Sequence, residues 1–202
     1  YTRAIEFADH SEKTIQRLGK ERAGDPDFRS DSWQNTLARS ERALWRSHAC
    51  VLAGIDIPDT LADMVARVAD LEKLLSHSQT EMVFPDRGEG ETGFLGHPAE
   101  IKTKRVAALY YNYMGYAYTG QGNFSKAIEA YGKALRFMRA VKFPHMEATT
   151  RNNLARVLSD RGHARGRRLC LDALEMRKEQ GTEVPIAYSY NTLALIDNDH
   201  SR

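Results

Sequence analysis

One stretch of 24 residues, from Tyr111 to Ala134, constrains the fold of this chain more than any other. Bulky and small residues of its first half recur at i, i+3, i+4 and i+7, the spacing of one helix face. They are Tyr111, Met114, Gly115 and Tyr118. After the turn-forming sequence GQGN comes a second apolar stripe, made of Phe124, Ala127, Ile128, Tyr131, Ala134 and Leu135. The stretch therefore predicts two antiparallel helices that approach closely over small residues.

This arrangement resembles the signature of the tetratricopeptide repeat, in which an aromatic residue, Leu-Gly and Tyr precede a turn, with Ala and an aromatic residue after it. The matching residues are Tyr111, Met114, Gly115, Tyr118, Ala127 and Tyr131. The resemblance implies an all-α fold, an α-solenoid of antiparallel helix hairpins wound into a right-handed superhelix. It also implies a scaffold that recognises protein partners, with no enzyme activity and no cofactor.

The pair Met114-Gly115 recurs as Leu154-Ala155 and Leu193-Ala194, separated by 40 and then 39 residues. The usual repeat is about 34 residues long. The longer period resembles the repeat arrays of bacterial ATP-dependent transcriptional activators, related signalling ATPases and kinesin light chains. The overlay predicts repeats over about 99–142 and 143–182 and an incomplete one over 183–202.

Two places depart from the repeat pattern. The second repeat is one residue shorter in its turn, which puts Arg167 at the place of the small Ala127. The third repeat has Asp197 where Tyr118 and Leu158 supply bulk. We expect either that the third helix frays there or that a helix packing on it is missing.

The first part of the chain has helical periodicity without the repeat signature. Apolar residues recur at helical spacing over about 3–18, 33–53 and 59–78, so we expect divergent helical repeats over 1–79. A glycine- and proline-rich loop is expected over 80–98. We expect the helical segments to form one continuous solenoid. Because the chain begins at Tyr1 rather than Met, we also expect that it belongs to a longer protein.

Asparagine recurs at one place on successive first helices of the repeats, as Asn112, Asn152 and Asn191. In the family that this chain resembles, the place faces the concave groove. An amide both donates and accepts hydrogen bonds, so the asparagines can pair with the backbone of an extended peptide, or they can bridge neighbouring helices. The predicted groove comprises Asn112, Tyr113, Tyr116, Thr119, Asn152, Asn153, Arg156, Ser159, Tyr188, Asn191 and Thr192. Arg151 and Arg156 are candidates to pair with a carboxylate of the ligand.

Charge divides unevenly along the chain. Residues 1–99 have a net charge of −5 and residues 100–183 a net charge of +8. The asymmetry suggests an acidic ligand, self-association or a contact with other domains of the parent protein, or simply a solvated surface. Four arginines crowd one turn, at Arg161, Arg165, Arg167 and Arg168, which makes nucleic-acid contact an alternative function.

Other functional classes find little support. Gly88, Gly90 and Gly93 form a G-x-G-x-x-G string, but no strand precedes it and two glutamates would repel a pyrophosphate, so a nucleotide-dependent enzyme is the weakest alternative. The histidines do not form a metal-ligand array, and Cys50 and Cys170 fit buried thiols. We expect a cytoplasmic protein that does not enter a membrane, because the sequence has neither a long apolar segment nor a signal peptide.

Overall fold

The computed structural model describes residues 6, 9, 10, 13, 14, 17, 33–78, 98–159, 165–181 and 183–199. Over these residues the protein is all-α, with seven helices and no strand, which confirms the predicted class. The helices are α1 (Trp33–Ala53), α2 (Ile57–Ser78), α3 (Pro98–Gly120), α4 (Phe124–Ala140), α5 (Pro144–Ser159), α6 (Arg165–Glu179) and α7 (Glu183–Asp199). The predicted 80–98 loop lies outside the described residues apart from Pro98, and so does the glycine string.

Short turns separate the helices at the places where the sequence has turn-forming residues. Gly122 adopts a positive φ of 71° between α3 and α4, a conformation that favours glycine. The side chain of Asn123 then caps α4 by accepting a hydrogen bond from the backbone N–H of Lys126 at 3.4 Å. Pro144 occupies the first position of α5, where a missing N–H costs nothing.

The start of α2 differs from the sequence prediction. The apolar periodicity places the start of this helix near residue 59. Instead α2 begins at Ile57, and the N–H of Thr60 donates to the carbonyl of Asp56 at 2.9 Å. Thr60 therefore lies inside the first turn, because Asp56, with a positive φ of 46°, already redirects the chain into the helix.

The chain divides into two compact units, Tyr1–Tyr113 and Met114–Arg202, with the division inside α3. In the first unit α1 packs against α2. Its buried apolar residues include Leu37, Leu44, Cys50, Met64, Val68 and Leu71. The hydroxyl of Tyr110 donates to the carbonyl of Ser40 at 2.6 Å, and that of Tyr111 donates to Glu72 at 2.7 Å. These two tyrosines tie α3 to α1 and to α2.

In the second unit each helix from α4 to α7 packs against the next, and α5 also contacts α7. The core includes Ala127, Tyr131, Leu135, Leu154, Ala155, Val157, Leu169, Cys170 and Ile196. Burial follows the spacing seen in the sequence. The buried residues of α4 are 127, 130, 131, 134, 135 and 138, and those of α6 are 166, 169, 170, 173, 174 and 177, each 39 positions later.

This correspondence corrects the register of the second repeat. Gly166, not Arg167, occupies the place of Ala127. A Cβ on Gly166 would stand 2.6 Å from the carbonyl oxygen of Ala155, so only glycine fits at this helix crossing. The turn of the second repeat is one residue shorter, and its small residue accordingly lies one position earlier, at 166 instead of 167.

The helix at the second departure is intact. α7 continues to Asp199, so the helix does not fray at Asp197. The carboxylate of Asp197 accepts a hydrogen bond from Nε of Arg167 at 2.7 Å. Asp197 on α7 is thus paired with Arg167 on α6. Of the helices in the described part of the chain, none is long and apolar enough to cross a membrane.

Candidate functional site

The predicted groove residues divide sharply by exposure. Asn112, Asn152, Ser159 and Thr192 are buried, and Tyr113, Thr119 and Asn153 are half-buried. Tyr116, Arg156, Tyr188 and Asn191 are exposed. Asn112 and Tyr113 belong to the first unit and the other nine to the second. A ligand on the second unit can therefore reach four of these side chains most readily.

Asn152 joins three helices through its side-chain amide. It is 1% exposed on α5. Its Nδ2 donates to Oγ1 of Thr192 on α7 at 2.9 Å, and its Oδ1 accepts from Sγ of Cys170 on α6 at 3.5 Å. Helix bridging, one of the two roles that the recurrence of asparagine suggested, is thus present at Asn152. The equivalent Asn191 lies on an exposed part of α7. Peptide binding by the asparagine series stays a prediction.

Tyr131 forms the floor of a small cluster on the second unit. Its ring is 1% exposed and packs where Gly115 leaves space on α3. Burial raises the pKa of Tyr131, and a hydrogen bond with Thr119 and the charge of Arg156 act in the opposite direction. Tyr116 and Tyr188 also lie close enough to influence its ionisation.

The exposed members of this cluster come from three different helices. Tyr116 on α3 and Tyr188 on α7 are each 44% exposed, and Arg156 on α5 is exposed. We call these three residues, together with the buried Tyr131, the tyrosine–arginine surface. Within the part of the chain that the structure describes, Arg156 forms no ion pair or hydrogen bond. Its guanidinium is therefore available to a ligand.

Arg177 is a buried cation beside this surface that sequence reasoning missed. It is 2% exposed on α6, at the place equivalent to Met138 on α4. Its guanidinium donates to the carbonyl of Pro185 at 2.8 Å and to Oγ of Ser189 at 2.6 Å. The ring of Tyr188 lies over it, 5.8 Å from the guanidinium carbon to the ring centroid.

Arg177 lacks a carboxylate partner among the described residues, and its Nε, which is buried, has no hydrogen-bond partner there. Burial lowers the pKa of the guanidinium. In the corrected register a charged residue stands at a position that is Met in the preceding repeat, a signal that the sequence overlay misplaced by one residue. A buried charge without a counter-ion is costly, so this position is a candidate for a functional role.

Arg151, by contrast, is engaged inside the protein. Its guanidinium donates to Glu147 at 2.7 Å and to Asp172 at 3.4 Å. Glu147 is itself buried and also accepts from Arg139 at 2.9 Å. Of the two arginines considered as partners for a ligand carboxylate, Arg156 is the one without an ion pair among the described residues.

The arginine cluster considered as a nucleic-acid contact is partly neutralised. Arg167 pairs with Asp197, and Arg168 lies 3.5 Å from Asp172. Arg165 is exposed at the start of α6, whereas Arg161 lies outside the described residues. Paired carboxylates reduce the positive potential that a nucleic-acid backbone would meet.

The first unit has an aromatic stack that the sequence reasoning did not find. The rings of His48 and Tyr113 lie parallel with their centroids 4.3 Å apart, and Trp45, which is 66% exposed, tilts against His48 at 6.4 Å. Burial lowers the pKa of His48 and so favours the neutral imidazole. Trp45 therefore lies largely outside the packed face of α1.

Cys50 and Cys170 are both buried free thiols, as expected. Burial raises the pKa of Cys170 to about 11, so its thiol stays protonated and unreactive at neutral pH. The residues that the structure describes contain no group of three or more His, Cys, Asp or Glu side chains able to hold a metal ion.

Comparison of the chain with protein-family models, with curated proteins and with solved structures returned no match.

Proposed function

We propose that this protein is a non-catalytic interaction scaffold that binds a peptide or partner segment on the tyrosine–arginine surface. The observation that carries the proposal is the convergence of Tyr116, Arg156 and Tyr188, from three different helices, around the buried Tyr131. Tyrosine and arginine are the residue types enriched at the energetic centres of protein interfaces.

The architecture that we propose for this scaffold is a tetratricopeptide-like α-solenoid, a right-handed superhelix of antiparallel hairpins. Its support is the recurrence of burial at a spacing of 39 residues in α4 and α6. A spacing of 40 relates the buried Met114 and Ala117 of α3 to Leu154 and Val157 of α5. In such an array the first helices of successive hairpins, here α3, α5 and α7, line one concave face.

The chemistry of the surface suits an extended segment. Tyr116 and Tyr188 offer large apolar areas with few rotatable bonds, so little conformational entropy is lost when a ligand packs on them. Arg156 supplies a directional set of donors on the same surface. Asn191 adds an exposed amide on α7 that can pair with a peptide backbone. We further propose that the scaffold works in the cytoplasm, within a larger signalling or transcription-regulatory protein.

The test is selection of binding peptides from a random displayed library on the immobilised protein. We expect the wild type to enrich a family of related sequences. The triple variant Tyr116→Ala, Arg156→Ala, Tyr188→Ala should lose those sequences while its helicity remains unchanged. Failure of the wild type to enrich any peptide, or equal enrichment by the triple variant, would contradict the proposal.

A matched control removes exposed side chains from elsewhere on the same unit. Arg136 and Lys133 lie on α4, exposed and partly exposed respectively. The variant Arg136→Ala, Lys133→Ala should retain the selected peptides. If both variants lose them alike, the loss reflects the reduced positive charge of the protein and not the tyrosine–arginine surface.

A further inference from the structure

We propose that the tyrosine–arginine surface selects segments of a protein partner that contain an acidic side chain, with Arg156 pairing directly with the carboxylate and Arg177 attracting it from beneath Tyr188. This inference rests on the proposed function and adds the chemical class of the ligand. It depends on two cations that the protein leaves without acidic partners among its described residues.

Several carboxylates of the second unit pair with arginines other than these two. Arg139 and Arg151 share Glu147, Arg168 approaches Asp172, and Arg167 pairs with Asp197. Among the described residues no such acid pairs with Arg156 or Arg177. The positive charges of Arg156 and Arg177 are therefore not neutralised by these acids, which makes the tyrosine–arginine surface complementary to an anion.

Arg177 contributes in a different way from Arg156. Its guanidinium is held by Pro185 and Ser189 on α7 and donates to Oγ1 of Thr149 on α5 at 3.3 Å. A buried charge is screened less by solvent than an exposed one, so its field extends further. The ring of Tyr188 covers it and is itself exposed on the other side. Arg177 thus positions Tyr188 and adds positive potential to the surface without touching the ligand.

The aromatic rings add selectivity to the charge. A carboxylate that pairs with Arg156 on a surface that also carries Tyr116 and Tyr188 leaves bulk water in part, which strengthens the ion pair. Apolar residues next to the acidic residue can then pack on the rings. A segment with an acidic residue flanked by apolar ones fits both features.

The experiment uses two pools of fluorescein-labelled 12-residue peptides with the same composition, except that Asp and Glu of one pool are replaced by Asn and Gln in the other. Retention by the immobilised full chain is measured at low and at moderate salt. The wild type should retain the acidic pool about tenfold more strongly, the effect of about one charge-assisted hydrogen bond. The preference should decrease as salt rises.

Three variants separate the roles of the arginines. Arg156→Gln should abolish the preference for the acidic pool, and Arg177→Met should reduce that preference. Arg136→Gln, which removes an exposed arginine elsewhere on the unit, should leave the preference unchanged. If the preference survives Arg156→Gln, Arg156 does not pair with the carboxylate. If Arg177→Met leaves the preference intact, Arg177 does not attract the carboxylate.

The remaining outcomes distinguish this inference from the proposed function. Equal retention of both pools overturns the acidic class and leaves the peptide-binding scaffold in place. Retention of neither pool overturns both. Stronger retention of a labelled oligothymidylate than of the acidic pool, with the same dependence on Arg156, would assign the surface to single-stranded nucleic acid instead.

Discussion

The ring of Tyr131 occupies the space that a side chain on Gly115 would need. A Cβ built on Gly115 would stand 2.6 Å from Cε1 of Tyr131 and 2.8 Å from its Cζ. Because the Tyr131 ring is buried against α5 and α6, it has little room to move. The contact between a glycine on α3 and an aromatic residue on α4 therefore fixes how closely these helices approach.

We expect Gly115→Ala to lower the free energy of unfolding by about 1–3 kcal/mol, because overpacking a rigid contact forces the helices apart. Alanine in an exposed helix would instead stabilise by about 1 kcal/mol relative to glycine. Urea denaturation of the purified chain measures the change. The larger Gly115→Leu should cost at least as much.

Gly132 provides the matched control for this substitution. It also lies in a helix, and a Cβ there would meet no atom within 4 Å. Gly132→Ala should therefore be neutral or slightly stabilising. If the two alanine variants unfold at the same urea concentration, the contact between Gly115 and Tyr131 does not limit the helix packing.

The asparagines of the series should differ in how much each contributes to the stability of the protein. Asn152→Ala removes the amide that pairs with Thr192 and Cys170, leaving their buried polar groups with fewer partners, so we expect a loss of about 1–3 kcal/mol. Asn191→Ala changes an exposed residue and should stay within about 0.5 kcal/mol of the wild type. Thermal or urea melts of the two single variants decide the matter, and similar melts would show that the bridge contributes no net stability.

Local patterns in the sequence predicted much of this fold. The apolar periodicity located α1 and the stretch from α3 to α4, and the spacing of small residues indicated the close approach at Gly115. These features depend on residues a few positions apart. The partners of Asn152 lie 40 and 18 positions away, and no local pattern specifies them.

For the same reason, the sequence predicted only part of the candidate site. Sequence spacing identified Tyr116, Arg156 and Tyr188, because they lie on the first helices of the overlaid repeats. It did not show that Arg151 is occupied by Glu147 or that Arg156 is unpaired among the described residues. The register of Gly166 was also missed, because a one-residue deletion in a turn can be absorbed by the turn or by the helix. Packing against Ala155 determines which occurs.

We expect the free energy of unfolding of Arg177→Met to lie within about 1 kcal/mol of that of the wild type. Methionine already occupies the equivalent place on α4 as Met138, and replacing a buried charge by an apolar side chain of similar size removes a desolvation cost. Arg177→Ala is the comparison variant, and it should lose about 2 kcal/mol or more because it leaves a cavity. Urea denaturation of both variants makes the measurement. A methionine variant as unstable as the alanine variant would show that the hydrogen bonds of the guanidinium outweigh its desolvation.

Stability should fall at alkaline pH through Cys170. Burial raises the pKa of its thiol to about 11 in the folded protein, whereas an unfolded chain has a cysteine pKa of about 8.5. Between these values the unfolded state loses the proton and the folded state keeps it. The contribution is therefore fully present below about pH 8.5 and is lost as pH rises towards 11.

For this thiol alone we expect a loss of about 2 kcal/mol between pH 8 and pH 10.5. Tyrosine and lysine side chains of an unfolded chain also ionise near pH 10, so the decisive quantity is the difference between the wild type and Cys170→Ala. The variant is expected to be less stable at pH 8 and to lose about 2 kcal/mol less on going to pH 10.5. Guanidinium denaturation of both proteins at the two pH values measures this. Parallel pH dependences would mean that Cys170 ionises as readily in the folded protein as in the unfolded chain.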